Sequence, residues 1–314
     1  MKNNLLLIGA GKMAEKYIKI LYALKQPFEV IGRGKYSAKK FHQRTRCIVN
    51  TGGLKSNANK IFPNSSAIVA VSVDQLFDTT KDLLNLGVKR ILLEKPGAVN
   101  LKEIRLINSL AKKKRAKIYI GYNRRFYQSI EKIKKLCSKD GGILSVNFEF
   151  TERSRLIKKL KIIKRVKEKW LIANSSHVID LVFHLCGKPR NIHCLSQGKI
   201  DWHKRSSIFC GSGMTKKGIL FSYSSNWNSP GNWKVELMTA KSRYILNPME
   251  ELKIIRFTSL KEKKIKLINN LDKKFKAGLF IQTKNFLNKN DTNLCSLKEQ
   301  EENFRIFYKI ANYN

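Results

Sequence analysis

Residues 5–17 read LLLIGAGKMAEKY, an apolar run that breaks into a glycine turn and continues as a helical pattern. The turn fits a GxGxxA pattern placed directly after a predicted strand and at the start of a predicted helix. There the first glycine permits a tight turn, the second lets a pyrophosphate approach the backbone, and the small third residue allows close helix packing. Free N–H groups at the helix start face the phosphates. We therefore expect a dinucleotide to bind at Gly9, Ala10, Gly11, Lys12, Met13 and Ala14.

The first 121 residues alternate short apolar runs with amphipathic stretches, a pattern typical of βαβ units on a parallel sheet. We therefore expect residues 1–121 to form a doubly wound α/β dinucleotide-binding domain. Strands are predicted at residues 5–9, 28–32, 47–50, 67–73, 90–95 and 117–122. Helices are predicted at residues 12–25, 37–44, 74–86 and 100–114.

Residues 122–314 change to longer alternating strands, which favours an α+β domain with an open, mostly antiparallel sheet. Strands are predicted at residues 143–152, 191–200, 206–213, 218–227, 233–240, 242–247 and 251–259. Helices are predicted at 128–136 and 175–186, and two more follow from about residue 279, joined near 290–294. These last helices are candidates for packing back on the first domain.

The net charge of +40 predicts attraction to polyanions in general, including nucleic acid, phosphorylated substrates and anionic membrane surfaces. The basic residues are mostly Lys and are spread along the chain, and the two densest runs, at 112–117 and 158–169, do not interleave aromatic residues. We therefore expect no specific nucleic-acid binding.

Two further features of the sequence limit the class of protein. No stretch reaches the ~20 apolar residues of a membrane span, and the N-terminal apolar run lacks a cleavage site, so we expect a cytoplasmic protein without a membrane span. The six cysteines have no CxxC pair and no metal-like spacing. We expect them to be reduced, and we expect no metal site.

The end of the second predicted strand bears on the choice of cofactor. An acidic residue there would hold a ribose 2′-hydroxyl, but Glu29 lies too early, inside the strand. Arg33 stands at the strand end instead, where a guanidinium suits a 2′-phosphate. This favours NADP, with NAD left open and with Arg33 as one of many solvated basic residues as the alternative.

Four motifs in order resemble the Gfo/Idh/MocA family, the glucose-fructose oxidoreductase and inositol dehydrogenase group. They are GAGKMA at 9–14, LLEKPGAVN at 92–100, GYNRRF at 121–126 and SSHVIDLVFHLCGKP at 175–189. The resemblance implies an N-terminal Rossmann domain and a C-terminal domain whose sheet often makes an oligomer interface. It also implies nicotinamide-dependent oxidation or reduction of a sugar, polyol or nucleotide sugar. Glu94 and Lys95 then lie at the cofactor, and Lys95 and His177 correspond to the family's catalytic lysine and histidine.

One position departs from the family. An aspartate usually stands four residues before the histidine, where this chain has Ala173. Asn174 could bind a hydroxyl, and Asp180, three residues after His177, could supply an orienting carboxylate on the same helical face. The alternative for His177 itself is a structural histidine in the core.

The crevice residues complete the expected substrate site. Tyr122, Asn123 and Arg125 form a cluster suited to hydroxyls and phosphates, and Asn174 and Asp180 join them. The sequence thus predicts an NADP- or NAD-dependent oxidoreductase of a sugar or nucleotide sugar, in a branch resembling surface-polysaccharide enzymes and forming a homo-oligomer through its C-terminal sheet. The alternative is a dinucleotide-binding regulatory protein of the same fold without turnover.

Overall fold

The computed structural model describes residues 4–63, 65–268 and 270–313. The chain forms two compact units, one of residues 1–122 and 274–304 and the other of residues 123–273 and 305–314. Residues 274–304, which the sequence predicts within the second domain or packed back on the first, thus belong to the first unit. Among the described residues, no helix is long and apolar enough to cross a membrane.

The first unit is built on a seven-stranded sheet in the order β15-β6-β5-β4-β1-β2-β3, parallel except for β15. Its strands are β1 (Leu5–Ile8), β2 (Glu29–Ile31), β3 (Val49–Asn50), β4 (Ser66–Val69), β5 (Arg90–Leu93), β6 (Lys117–Ile120) and β15 (Cys295–Ser296). Its helices are α1 (Lys12–Ala23), α2 (Lys35–Thr45), α3 (Gly53–Ser56), α4 (Leu76–Asn85), α5 (Leu101–Lys113) and α11 (Leu279–Leu287), with the first part of α12 (Leu297–Ala311). The expected doubly wound parallel sheet is confirmed.

Burial explains why these segments adopt these elements. All four residues of β1 are buried, as in a strand covered by helices on both faces. Helix α1 buries Ala14, Tyr17, Ile18 and Leu21, the spacing of one helical face. At the start of α5, the Asn100 side chain accepts a hydrogen bond from the Glu103 N–H at 2.9 Å, which caps the helix.

The fourth strand is shorter than the sequence predicts. The apolar run at 67–73 is not one strand, because β4 ends at Val69 and a 3-10 turn begins at Val73. Apolar character alone does not mark where a strand stops, since residues beyond its carboxyl end can also be shielded from water. As a result, residues 70–72 are loop and are available to line a site.

The second unit is built on an eight-stranded sheet in the order β14-β13-β12-β11-β7-β10-β9-β8. All neighbours are antiparallel except β7 and β10, so the expected mostly antiparallel sheet is confirmed. Its strands are β7 (Ser145–Phe150), β8 (Pro189–Gln197), β9 (Ile208–Thr215), β10 (Leu220–Asn226), β11 (Trp233–Met238), β12 (Ser242–Leu246), β13 (Lys253–Arg256) and β14 (Ser259–Lys264). Its helices are α6 (Gln128–Lys139), α7 (Ser154–Lys158), α8 (Lys164–Lys167), α9 (Ser176–Cys186) and α10 (Asn270–Lys274), which ends at the boundary between the units.

Helix α9 forms the centre of the second unit's core. Residues 176–183 are all buried, and the ring of Phe183 meets Phe148 of β7 at 6.0 Å and Phe221 of β10 at 5.2 Å between centroids. A single π-helical turn, Leu171–Ser175, leads directly into α9. This turn was not predicted from the sequence, and neither were α3, α7, α8, α10, β14 and β15, because each is short or irregular.

Buried His203 in the second unit gives a testable pH dependence. Its Nδ1–H donates to the Ser206 carbonyl and its Nε2 accepts from the Tyr313 hydroxyl, each at 2.6 Å, and Trp227 packs against the ring. Burial lowers the pKa of His203 to about 4, so the neutral imidazole is the form that the folded protein stabilises.

Because this pKa is depressed in the folded state, stability is full above the ordinary pKa of about 6.5 and is lost as the pH falls toward 4. We expect acidification over this window to cost up to about 3 kcal/mol through this group. Thermal unfolding of His203→Gln should therefore show a shallower acid dependence than the wild type, whereas exposed His193→Gln should leave the dependence unchanged. Parallel curves for His203→Gln and the wild type would contradict this assignment.

Candidate functional site

A cavity of about 980 Å³ lies at the carboxyl ends of β1, β2, β3 and β4. Its wall consists mainly of the segments that follow those strands, namely residues 9–11, 32–34, 52–55 and 70–72, and one side of α4. Strand order reverses between β1 and β4, and in doubly wound sheets ligands bind at this point. The cavity is therefore the site to test for a dinucleotide.

The two glycines of the turn have different roles. Gly9 has a φ of +116°, and a Cβ there would lie 2.5 Å from the carbonyl oxygen of Ala70, so only glycine lets β1 and β4 approach at this point. Gly11 caps α1, and a Cβ on it would meet no atom of the described chain within 4 Å. The space beside Gly11 is thus open at the helix N-terminus, which is the shape that a pyrophosphate requires.

The structure divides the predicted dinucleotide residues into two sets. Gly9, Ala10, Gly11 and Arg33 line the cavity. Ala14 is fully buried on the inner face of α1, in agreement with a packing role for the small third residue. The described lining does not include the predicted residues Lys12, Met13, Ala14, Glu94 and Lys95.

The turn that carries Arg33 is fixed by the backbone of the next strand connection. The N–H of Gly52 donates to the Arg33 carbonyl at 3.1 Å, and the N–H of Gly53 donates to the Gly32 carbonyl at 2.9 Å. Glu29, the alternative acidic residue, instead accepts a hydrogen bond from the Asn4 side chain at 2.9 Å. The cavity edge at the end of β2 is therefore cationic, and Glu29 is engaged elsewhere.

Glu94 belongs to a buried network next to the Lys95 turn. The Tyr17 hydroxyl donates to Glu94 Oε1 at 2.6 Å, and the Gln282 amide donates to that hydroxyl at 3.4 Å. Burial raises the pKa of Glu94, and the charge of Lys276 and the hydrogen bond from Tyr17 act in the opposite direction. The contacts that the structure gives Glu94 are thus those of a residue that holds the turn.

The other side of the Lys95 turn is held by α12. Buried Gln300 donates through Nε2 to the carbonyl of Pro96 and to the hydroxyl of Tyr122, each at 2.9 Å. Asn303 in turn donates to Gln300 Oε1 at 3.0 Å. Tyr122, predicted as a substrate residue, is therefore buried in the support of this turn, and Lys95 itself is half-buried. The Gln300 contact was not foreseen because it spans about 200 residues of sequence.

In the second unit, Arg125 and Asp180 form a buried, bidentate ion pair. Arg125 Nε donates to Asp180 Oδ2 at 2.8 Å and Nη2 donates to Oδ1 at 2.5 Å. Both were predicted to bind substrate, and Asp180 was also expected to orient His177. Both carboxylate oxygens of Asp180 accept hydrogen bonds from the guanidinium, and the roles predicted for Arg125 and Asp180 toward substrate and His177 stay predictions.

Asn174 follows Ala173, the position where the family has an aspartate. Its side chain is bound to a carboxylate that was not predicted as a site residue. Its amide donates to Glu152 Oε1 and Oε2 at 3.0 and 3.1 Å, and the Ser175 hydroxyl donates to Oε1 at 2.8 Å. Glu152 is buried just beyond the end of β7. Asn174 itself lies in the π turn Leu171–Ser175, which leads into α9.

A cationic and aromatic cluster lies around buried His177. The His177 ring centroid is 6.1 Å from that of Trp233, and the Arg124 guanidinium carbon lies 4.6 Å from the Trp233 ring. Arg124 Nε is buried without a hydrogen-bond partner among the described residues, and burial lowers the pKa of Arg124. Arg124, which was not predicted as a site residue, therefore has an unused donor next to the predicted Arg125. Asn123 is buried at the start of the 3-10 turn Asn123–Phe126, which also contains Arg124 and Arg125.

Comparison with known proteins agrees with this architecture. Residues 3–122 match the model described as oxidoreductase family, NAD-binding Rossmann fold, of the Gfo/Idh/MocA group. Glucose-6-phosphate 3-dehydrogenase of Bacillus subtilis is 28% identical in an alignment of 196 residues that covers 57% of this chain and 52% of that protein. The matched stretch thus spans about half the length of this curated relative.

Solved structures resemble the whole chain. A dehydrogenase (MviM) from Clostridium difficile has a TM-score of 0.79 at 21% identity and covers 100% of both chains. UDP-N-acetylglucosamine 3-dehydrogenase GnnA from Acidithiobacillus ferrooxidans has a TM-score of 0.75 at 13% identity, covering 98% of this chain and 96% of that one. The resemblance indicated by the motifs is confirmed: residues 3–122 match the NAD-binding Rossmann fold of the Gfo/Idh/MocA oxidoreductases.

The two glycines provide a matched test of the cavity. We expect Gly9→Ala to lower the free energy of unfolding by about 2 kcal/mol or more, because it combines a strained φ with a clash. Gly11→Ala should change stability by less than about 0.5 kcal/mol yet weaken NADPH binding about tenfold or more, because its methyl group occupies the open space. Thermal unfolding and NADPH fluorescence titration measure the two effects. Unchanged NADPH affinity in Gly11→Ala would contradict the assignment.

Proposed function

We propose that this protein transfers a hydride between NADP, or less favourably NAD, and a hydroxyl or carbonyl carbon of a sugar or nucleotide sugar. The observation that supports the proposal most directly is the cavity beside β1 and β4, where the strand order reverses. Gly9, Gly11 and Arg33 line this cavity. A buried network, specific in its contacts, supports the Lys95 turn within the same unit. Such support favours a residue that must be held in position for chemistry.

Each end of the cavity has a role in holding the cofactor. The N–H groups at the start of α1 would bind the pyrophosphate, and Arg33 would bind a 2′-phosphate. When bound, the nicotinamide supplies or accepts the hydride. The preference for NADP rests on Arg33 and on the absence of an acidic residue from the end of β2 among the described residues.

The reaction also needs a group that moves the hydroxyl proton. We assign this to Lys95 and His177, in keeping with the family resemblance. The Lys95 ammonium would stabilise a developing alkoxide, and either side chain can exchange a proton with it. Asn174, fixed by Glu152, would present its remaining hydrogen-bonding capacity to a hydroxyl, in place of the carboxylate that Ala173 lacks.

An anionic sugar derivative suits the residues around His177. Arg124 has an unused Nε among the described residues and stacks on Trp233, which is 6.1 Å from His177. A phosphate of a sugar phosphate or nucleotide sugar would satisfy that donor. The two relatives act, by their names, on glucose 6-phosphate and UDP-N-acetylglucosamine.

A role in surface-polysaccharide synthesis, assembly through the second unit's sheet and a cytoplasmic location complete the proposal.

A dinucleotide-binding regulator without turnover is the second candidate. Ala173 is the observation that favours it, because a carboxylate of the family pattern is absent from that position. The two candidates share the cofactor site and differ only in whether a sugar is oxidised or reduced.

Cofactor choice is tested by Arg33→Ala. We expect this change to weaken NADPH binding about tenfold, the value of one charge-assisted hydrogen bond, and to leave NADH within about twofold. Arg44→Ala is the control, because it removes the same charge from exposed α2 outside the described cavity lining. Equal weakening of both nucleotides, or of neither, would contradict a 2′-phosphate site at Arg33.

Catalysis is tested by nicotinamide absorbance with a panel of sugar phosphates and nucleotide sugars, led by glucose 6-phosphate and UDP-N-acetylglucosamine. We expect Lys95→Ala and His177→Ala each to lower kcat about a hundredfold or more while both variants still bind NADPH. The exposed lysine variant Lys102→Ala should behave as wild type. Nucleotide binding without turnover of any sugar would favour the regulator instead.

A further inference from the structure

Residues 153–169, RSRLIKKLKIIKRVKEK, form a segment of unusual composition, which we name the basic segment. It holds nine Lys or Arg residues and one acidic residue, Glu168. It lies entirely within the second unit and includes the short helices α7 and α8. The proposed function does not use any of its charges.

Apolar side chains of the basic segment point outward among these charges. Leu156, Leu160, Ile162 and Ile163 are 57%, 44%, 37% and 47% exposed, so four large exposed aliphatic residues fall within eight positions. Exposed apolar residues scattered singly are ordinary, but a contiguous group within one segment marks an interaction surface.

The fold of the second unit does not require these four side chains. The basic segment is anchored by Ile157 and Val166, which are 5% and 3% exposed, and by Trp170 immediately after it. Lys158 additionally pairs with Asp201. Because other apolar residues hold the segment in place, the outward aliphatic group is available for contact with something outside the chain.

We propose that the basic segment binds the surface of an anionic lipid bilayer. Lys and Arg side chains are attracted to acidic headgroups, and the aliphatic side chains between them enter the boundary between headgroups and acyl chains. This combination of positive charge and exposed aliphatic surface is what an anionic membrane surface complements. The proposal goes beyond the proposed function and does not depend on it.

Two other possible binding partners, nucleic acid and a second copy of the chain, fit the basic segment less well. Nucleic acid would be matched by aromatic residues on which bases stack, and residues 153–169 contain none. A second copy of the chain would bring two strongly positive segments together, which like-charge repulsion opposes. The lysine-rich run at 112–117 serves as an internal comparison, because it is basic but holds no large exposed aliphatic residue.

The test is co-sedimentation of the full chain with vesicles of phosphatidylcholine alone and of phosphatidylcholine mixed equally with phosphatidylglycerol. We expect binding to the anionic vesicles only. Replacing Leu156, Leu160, Ile162 and Ile163 together by Ser should weaken binding about tenfold. The matched control replaces four scattered exposed apolar residues, Ile48, Phe62, Leu106 and Leu144, by Ser and should leave binding within about twofold.

A second pair of variants separates this surface from net charge. Replacing Arg155, Lys159 and Lys161 by Gln should weaken vesicle binding more than replacing Lys102, Lys112 and Lys113 by Gln, although both remove three charges. Thermal unfolding and circular dichroism check that each variant is folded. Failure to bind anionic vesicles, or equal effects of the two charge variants, would overturn the proposal.

Two further outcomes would also overturn it. Tighter binding to single-stranded nucleic acid than to the vesicles, lost in the serine variant, would assign the basic segment to nucleic acid. A lower molecular mass of the serine variant in analytical ultracentrifugation would assign the segment to self-association.

Discussion

The close approach of Gly9 to the backbone of Ala70 is the constraint on which the nucleotide cavity depends. A Cβ at Gly9 would lie 2.5 Å from that carbonyl oxygen, so the two central strands can end side by side only if the residue has no side chain. The hydrogen bond from the Gly9 N–H to the Ile31 carbonyl at 2.8 Å fixes the turn on its other side. From this point α1 begins with its N-terminus open, and the ends of β2 and β3 complete the wall.

The chemistry we propose also requires that Lys95 be held at the end of β5. Glu94 is bound by Tyr17 from α1, and Pro96 is bound by Gln300 from α12. The same helix α1 therefore supplies the open N-terminus of the cavity and, one to two turns further along, the hydroxyl that holds Glu94. Residues 274–304 are integral to the first unit for this reason, since they contribute Gln282, Gln300 and Asn303 to the support.

Local pattern was sufficient to predict the parallel sheet, the glycine turn and the position of Arg33, because each depends on residues adjacent in sequence. It was insufficient where the outcome depends on partners far along the chain. The sequence did not indicate that Asp180 pairs with Arg125, because the two residues lie 55 positions apart. The Arg124 and Trp233 contact joins residues more than 100 positions apart, and Glu152 binds Asn174 across 22 positions.

The central claim, that this chain is a nicotinamide-dependent sugar oxidoreductase, is tested most directly by following the transferred atom. NADPH carrying deuterium at the transferring carbon of the nicotinamide would be incubated with the purified protein and keto-sugar candidates, and the products would be analysed by mass spectrometry. The account predicts a sugar that has gained one deuterium, in an amount equal to the NADPH consumed and absent from the Lys95→Ala protein. Consumption of NADPH without deuterium in any sugar, or equal transfer by Lys95→Ala, would contradict it.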